Sequence, residues 1–290
     1  MVENAMLQNI LSFGPVFLLI AARAFAMIQT APLLSSDSIP MAARFALAGL
    51  AAFAVLPTAE IHFAVNSPNG IVTLPGGTLS DLRHETFNLR FGLLIAGEAI
   101  IGIILGFYMT IIFAAFSTAG QFFSLQMGFG ASETFDPVAQ IENPLMGQYF
   151  NLVSMVIFVT IGGFHQLFLG GFWRSVQTIN IISLIDGREP VVTMVVSGLS
   201  RLFMDAMVIA LPVLGTLFLT SLTTGLISKA APQINILSEG FPISIITAFV
   251  LLLASLPFMI EAFSRVIDSG FSNIQTLYTQ IGRQITGGRY

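Results

Sequence analysis

Long apolar runs constrain this sequence more than any other feature. Six of them stand out, at residues 10–34, 41–61, 89–115, 146–173, 191–221 and 242–263. A helix needs about 20 mostly apolar residues to cross a bilayer, and in lipid a helix satisfies its own backbone polar groups. The sequence therefore predicts an all-α membrane protein with about six long apolar helices, paired as hairpins.

The charge content supports this fold class. Only 9% of the residues are charged and 55% are hydrophobic, whereas a soluble domain carries about 25% charged residues. The net charge of −4 indicates no basic surface for nucleic acid. The chain has no cysteine, which excludes disulfides and Cys-ligated metals. The first apolar run follows no basic segment, so a cleaved signal peptide is not expected.

Catalytic patterns are missing from the sequence. The three histidines, His62, His84 and His165, are far apart and show no metal-ligand spacing. No phosphate-binding loop and no nucleophile elbow occur. We therefore expect no enzyme activity, no cofactor and no metal site, and we expect His165 to be a hydrogen-bonded interior residue.

Most arginines outside the apolar runs fall in the loops 63–90 and 174–190 and near the C-terminus. With six spans, these segments share one side with both termini, which predicts cytoplasmic termini. Residues 269–290 are interpreted as a polar tail.

Four charges inside the runs are candidate buried charges: Arg23, Glu98, Arg201 and Asp205. A charge at bilayer depth costs roughly 2.5–3.5 kcal/mol, so each needs a partner. Arg201 and Asp205 are four residues apart and are expected to pair. Arg23 and Glu98 have no local partner, which leaves two alternatives, an interhelical ion pair or a contact with another subunit.

Glycines mark the run that starts at residue 89. Gly102 and Gly106 have the spacing that permits close approach of two helices, and packing within the chain is the favoured interpretation. This run is longer than one span; it either continues as a helix through Gly120 or turns there.

The segment 127–144, MGFGASETFDPVAQIENP, contains no basic residue. It is either an exposed loop or irregular backbone that lines a cavity, where glycines give the chain freedom and Met and Phe fill a narrow lumen. The segment 225–244 is also unusual, because Pro232 and Pro242 bracket it and discourage a continuous helix. Its isoleucines and leucine need cover from another surface.

Several motifs occur in order along the chain: AARAFAMIQTAPLL (21–34), IPMAARFALA (39–48), GEAIIGIILGF (97–107), QFFSLQMGFGASETFDP (121–137), GGFHQLFLGGFWRSVQTI (162–179) and ISKAAPQINILSEGFPI (227–243). Over nearly its whole length the sequence resembles the FliR/SctT family, the export-gate membrane proteins of type III secretion systems.

The resemblance implies a non-enzymatic subunit of a helical hetero-oligomeric export gate in the bacterial inner membrane, at the flagellar basal body. It implies several copies of FliP and FliQ around a single FliR-like chain, the switch protein FlhB, membrane lipid and exported flagellar subunits as partners. It divides the chain into a FliP-like part (1–190), a FliQ-like hairpin (191–268) and the tail.

The resemblance also implies site residues. A pore plug loop carries over onto Met127, Gly128, Phe129, Gly130, Phe135, Asp136 and Pro137. An inter-subunit or cytoplasm-facing loop carries over onto Lys229, Pro232, Gln233, Asn235 and Glu239. The alternatives are the homologous injectisome subunit and, less favoured, a small-solute transporter or channel, which should show inverted repeats that this sequence lacks.

Overall fold

A computed structural model describes residues 2–36, 38–65, 73–74, 77–78, 89–127, 145–179, 188–230 and 236–287. The helices in these ranges are α1 (Val2–Thr30), α2 (Met41–Val65), α3 (Leu89–Met127), α4 (Leu145–Thr160), α5 (Gly163–Thr178), α6 (Arg188–Ala230) and α7 (Ile236–Gly287). The strands β1 (Thr73–Leu74) and β2 (Gly77–Thr78) form a two-residue antiparallel ladder with Thr73 opposite Thr78. The all-α prediction is confirmed.

Three of the helices in the described part of the chain are long and apolar enough to cross a membrane by themselves: Phe91–Met127, Arg188–Ala230 and Pro242–Ile281. The bent pair α4 and α5 gives a fourth if it counts as one span, while Gly14–Thr30 and Met41–Pro57 are shorter apolar helices. Each apolar run is thus largely helical, and α1 and α2, with 29 and 25 residues, extend beyond these shorter apolar stretches. The side of the membrane on which each end lies stays a prediction.

The chain divides into two compact units. The first unit contains residues 1–110, 164–196 and 271–290. In it α1 packs against α3 through the predicted glycine pair: a Cβ at Gly102 would collide with Arg23 O, and one at Gly106 would lie 2.7 Å from Met27 O. Thr110 Oγ1, one turn further, donates to Thr30 O at 2.8 Å. Packing within the chain, the favoured role of this pair, is confirmed.

The polar tail predicted from residue 269 onward is wrong as a structural description, because α7 continues through it to Gly287. This part of α7 is amphipathic, and its buried residues are Phe271, Ile274, Leu277, Tyr278 and Ile281. Their three- and four-residue spacing places them on one face, which packs in the first unit. Asn273 Nδ2 donates to Tyr108 Oη at 3.1 Å on the same side.

The second unit contains residues 111–163 and 197–270 and has an aromatic core. Phe116 packs against Phe263 with ring centroids 4.4 Å apart, and Phe123 packs against Phe150 at 4.9 Å. The run that starts at residue 89 remains helical through Gly120 to Met127, so it does not turn.

A break at Ile161 and Gly162 separates α4 from α5. Gly162 has a φ of +72°, a left-handed conformation that glycine adopts without the steric penalty of a Cβ. The apolar run 146–173 therefore forms two helices rather than one.

Candidate functional site

A polar centre in the first unit is built on Arg23 of α1, whose side chain is 3% exposed. Its Nε donates to Glu98 Oε2 on α3 at 2.6 Å, and the two side chains form an ion pair. Its Nη1 donates to Ser175 Oγ at 3.2 Å and its Nη2 to Ile179 O at 2.8 Å, both at the end of α5. Arg23 thus joins three helices, and of the two alternatives the interhelical ion pair is formed.

The geometry explains how a charge is tolerated here. The planar guanidinium presents several donors in a fixed arrangement, which suits a site with a carboxylate, a hydroxyl and a carbonyl. Ile179 has extended backbone (φ −119°, ψ 124°), so its carbonyl lies beyond the last helical turn, where Arg23 satisfies it. Loss of one member of a buried pair is strongly destabilising, by about 3–5 kcal/mol.

The ion pair expected between Arg201 and Asp205 is not formed at contact distance, although the Arg201 charge still acts electrostatically on the Asp205 carboxylate. Arg201 Nη1 donates instead to Ser269 Oγ of α7 at 3.0 Å, and no ion pair joins Arg201 to Asp205 in the part of the chain that is described. Arg201 is exposed in the single chain and Asp205 half-buried, so neither is a buried charge by itself. The four-residue spacing permitted the pair, but a hydroxyl on the neighbouring helix offered another acceptor.

Sequence reasoning missed Arg44, which is 8% exposed at the turn between α1 and α2. Its Nη1 donates to Gln29 Oε1 at 2.6 Å, and its Nη2 donates to Ser35 O at 3.1 Å and Ser36 O at 2.7 Å. The sequence did contain a sign of this role. A helix that ends in a tight turn leaves backbone carbonyls that need hydrogen-bond donors. The position of Arg44 just after the turn makes it the donor.

The predicted plug loop lies mostly outside the described residues: Gly128, Phe129, Gly130, Phe135, Asp136 and Pro137 all do. Both ends of that segment are described, and both are buried, with Met127 1% and Met146 3% exposed. The helices on either side cross closely, since a Cβ at Gly120 of α3 would lie 2.8 Å from Gly147 Cα of α4. The two helices that flank residues 128–144 are therefore tightly packed against each other at Gly120 and Gly147 in the second unit.

The predicted inter-subunit loop is described only at its edges. Lys229 is exposed in the last turn of α6, and Glu239 falls in the first turn of α7. Pro232, Gln233 and Asn235 lie outside the described residues. Pro242 does not bound the loop as expected, because α7 begins at Ile236 and contains Pro242. Pro242 is the seventh residue of α7, past the first turn, so it costs the helix the hydrogen bond that an N–H at this position would donate to the carbonyl four residues earlier.

A cavity of about 320 Å³ lies between α4 and α7 in the second unit, and its lining includes Phe150, Leu252, Met259 and Phe263. Its only titratable lining residue is Tyr149, which is too little for acid–base chemistry. Searched across the described ranges, no group of three His, Cys, Asp or Glu side chains could hold a metal ion. His165 is exposed, so the expectation of an interior residue is wrong.

Several known proteins align in sequence with most of this chain. The chain is 24% identical over 278 residues to the flagellar biosynthetic protein FliR of Bacillus subtilis (strain 168), covering 95% of this chain and 99% of the relative. It is 29% identical over 257 residues to FliR of Escherichia coli (strain K12), covering 87% and 88%.

A third relative carries a different name. The surface presentation of antigens protein SpaR of Shigella sonnei is 29% identical over 160 residues, covering 54% of this chain and 60% of the relative. The model of the family described as bacterial export proteins, family 1, matches residues 15–270, which include Arg23, Glu98, the glycine pair and the crossing at Gly120. The chain therefore belongs to the bacterial export proteins, family 1.

Proposed function

We propose that the chain is a pore-forming subunit of the flagellar type III protein export gate, located in the bacterial inner membrane at the flagellar basal body. In this role it is needed to assemble the channel and to export unfolded flagellar subunits. The names of the relatives in Bacillus subtilis and Escherichia coli support the flagellar assignment.

The observation that carries the proposal is the length of the apolar surface on α6. Exposed large apolar side chains recur along this helix in the second unit from Leu199 to Ile227. At 1.5 Å per residue this stretch is about 42 Å long, whereas the hydrocarbon core is about 30 Å thick. If the helix is straight, lipid alone covers this stretch only at a tilt of about 45°, beyond the usual range of about 0–40°, whereas a kink at Pro212 would reduce that tilt.

Protein partners are therefore the better cover for part of this surface. We assign it to neighbouring helices of FliP and FliQ, several copies of which surround one copy of this chain. The turn between α6 and α7, with Lys229, Gln233, Asn235 and Glu239, is assigned to contacts with neighbouring subunits or with FlhB.

Residues 128–144 are assigned to the plug of the pore. The support is that the two flanking helices pack tightly together at Gly120 and Gly147 and that Met127 and Met146, beside the segment, are buried. A plug needs fixed ends and bulky residues between them, and the sequence supplies Phe129 and Phe135. The glycines between them allow the backbone to enter a narrow lumen.

Co-expression tests the assembly. The chain is expressed with the FliP and FliQ proteins of its own genome, purified through a tag on FliP and weighed by native mass spectrometry. We expect a complex with one copy of this chain; a chain that purifies by itself and moves a small solute in liposomes would be a transporter instead. The variant that tests the surface carries Phe203→Glu and Leu211→Glu on the exposed face of α6. It should no longer co-purify with FliP.

Deletion of residues 129–136 tests the plug. The complex should still assemble, because Gly120 and Gly147 are untouched, but it should conduct ions in a planar bilayer where the intact complex does not. Equal conductance of the two complexes would contradict the plug assignment without touching the assembly result.

The similarity to SpaR of Shigella sonnei favours one second candidate, the equivalent subunit of an injectisome. Deletion of the gene for this chain in its native host distinguishes the flagellar subunit from the injectisome subunit. Loss of secreted flagellin and of motility supports the flagellar gate, whereas normal motility with loss of other secreted proteins supports the injectisome.

A further inference from the structure

A π-helical stretch interrupts α5. Residues Gln166–Trp173 have π geometry, and α geometry resumes at Arg174. π-Helical segments are rare, usually a single turn, and frequently lie at functional sites. This one spans eight residues and contains Gly170 and Gly171, whose lack of side chains lets the backbone adopt more than one winding.

Two side-chain hydroxyls, one from α7 and one from α5 itself, supply donors where the π stretch ends. Tyr278 Oη of α7 donates to Gly171 O at 2.6 Å, a carbonyl that also accepts from the Arg174 N–H. Ser175 Oγ donates to the next carbonyl, Phe172 O, at 2.7 Å and itself accepts from Arg23 Nη1. In an uninterrupted α-helix these two carbonyls accept from backbone N–H groups four residues later.

These donors are shielded from solvent. Tyr278 is 3% exposed and Ser175 is fully buried, so water does not replace either hydroxyl if it is removed. Gly171 O keeps the Arg174 N–H when the Tyr278 hydroxyl is removed, but a buried carbonyl that loses one of its two donors is destabilised, and the α winding becomes the alternative that supplies a backbone donor four residues later.

We propose that Gly171, Phe172, Ser175 and Tyr278 form a register latch that holds α5 in its π winding. When the latch is released, the stretch rewinds as an α-helix by one residue. Residues 174–179 then turn by about 100° about the helix axis, and Ile179 O leaves Arg23. The latch thereby couples the end of α7 to the ion pair between α1 and α3, as a two-state element does.

Tyr278→Phe tests the latch, because it removes one hydroxyl and keeps the buried ring. Hydrogen exchange by mass spectrometry on the full-length chain in detergent should show the amides of residues 171–176 exchanging about fivefold faster, the factor for one lost hydrogen bond. The matched control Tyr149→Phe removes a hydroxyl in the second unit and should leave these amides unchanged. Unchanged exchange in Tyr278→Phe overturns the proposal.

Deletion of Gly170 separates a latch from a simple structural contact. The shortened stretch fits an α-helix, so adding Tyr278→Phe to it should have little further effect on exchange. A full fivefold effect in the deletion background overturns the proposal, because independent contributions add.

Ser175→Ala gives a second route if the deletion variant does not fold. It removes the donor to Phe172 O and leaves Glu98 paired with Arg23. Faster exchange confined to residues 171–176 supports the latch, and unchanged exchange overturns it.

Discussion

Replacement of Arg23 by methionine measures how much the first unit depends on its polar centre. The variant loses the cation that pairs with Glu98 and the donors to Ser175 Oγ and Ile179 O. Loss of one partner of a buried pair costs about 3–5 kcal/mol, and the lower end applies because the Glu98 side chain is 15% exposed. The undonated Ile179 carbonyl adds about 1 kcal/mol, which gives about 4 kcal/mol in total.

Thermal unfolding of the full-length chain in detergent, at one fixed heating rate, is the assay. One kcal/mol shifts Tm by about 2–4 °C for chains of 150–250 residues, so we expect a fall of about 10 °C. Arg265→Met is the matched control: its partner Glu261 is 3.9 Å away and both side chains are well exposed. An exposed pair contributes little, so Tm should change by about 1–2 °C at most.

The double variant Arg23→Met with Glu98→Leu tests the reasoning itself. It removes the unpaired carboxylate but leaves Ile179 O without a donor, so its Tm should lie between those of the single variant and the parent. A single variant as stable as the Arg265→Met control, or a double variant no more stable than the single one, would refute the argument.

Three further changes have expected outcomes. Gly106→Leu should destabilise the first unit by about 3 kcal/mol through overpacking against α1, as measured by the same thermal assay. Gly92→Leu is the control and should be nearly neutral, because no atom lies within 4 Å of a Cβ placed there. A chain truncated after Gly270 loses five buried side chains worth about 1.5–3 kcal/mol each, a sum comparable to the total free energy of unfolding. This truncated chain should be degraded in cells, which immunoblots measure. Removal of residues 288–290 is the control and should leave protein levels unchanged. Replacing Gln233 and Asn235 together with alanine should reduce co-purification with partner subunits while the isolated chain keeps its Tm; normal co-purification would count against that interface.

Local sequence patterns predicted the helices well. Apolar runs of 20 or more residues have few alternatives to helix in lipid, and the glycine spacing at Gly102 and Gly106 specifies a close crossing before the partner helix is known. The tail was missed for a different reason. Overall hydropathy falls after residue 268, but the three- and four-residue spacing of Phe271, Ile274 and Tyr278 remained in the sequence as evidence of an amphipathic helix.

The side-chain contacts between helices distant in sequence could not be predicted in the same way. Arg23 lies 75 residues from Glu98 and 152 from Ser175, so no local rule selects them as partners. For Arg201 the error was the opposite. The local pairing with Asp205 was predicted, but Arg201 donates to Ser269, 68 residues away. The Tyr278 hydroxyl of α7 that donates to Gly171 O in the π stretch becomes known as a partner only when the helices are packed.

The long separation between Arg23 and its partners also bears on biosynthesis. At about 5–20 residues per second, the ribosome completes Ser175 roughly 8–30 seconds after Arg23. Glu98, the carboxylate that neutralises Arg23, follows after 75 residues, and until then α1 carries an unpaired cation that resists entry into hydrocarbon. The first helix therefore needs a hydrated or protein-lined environment until α3 has been made, and its hydrogen bonds to α5 form later still.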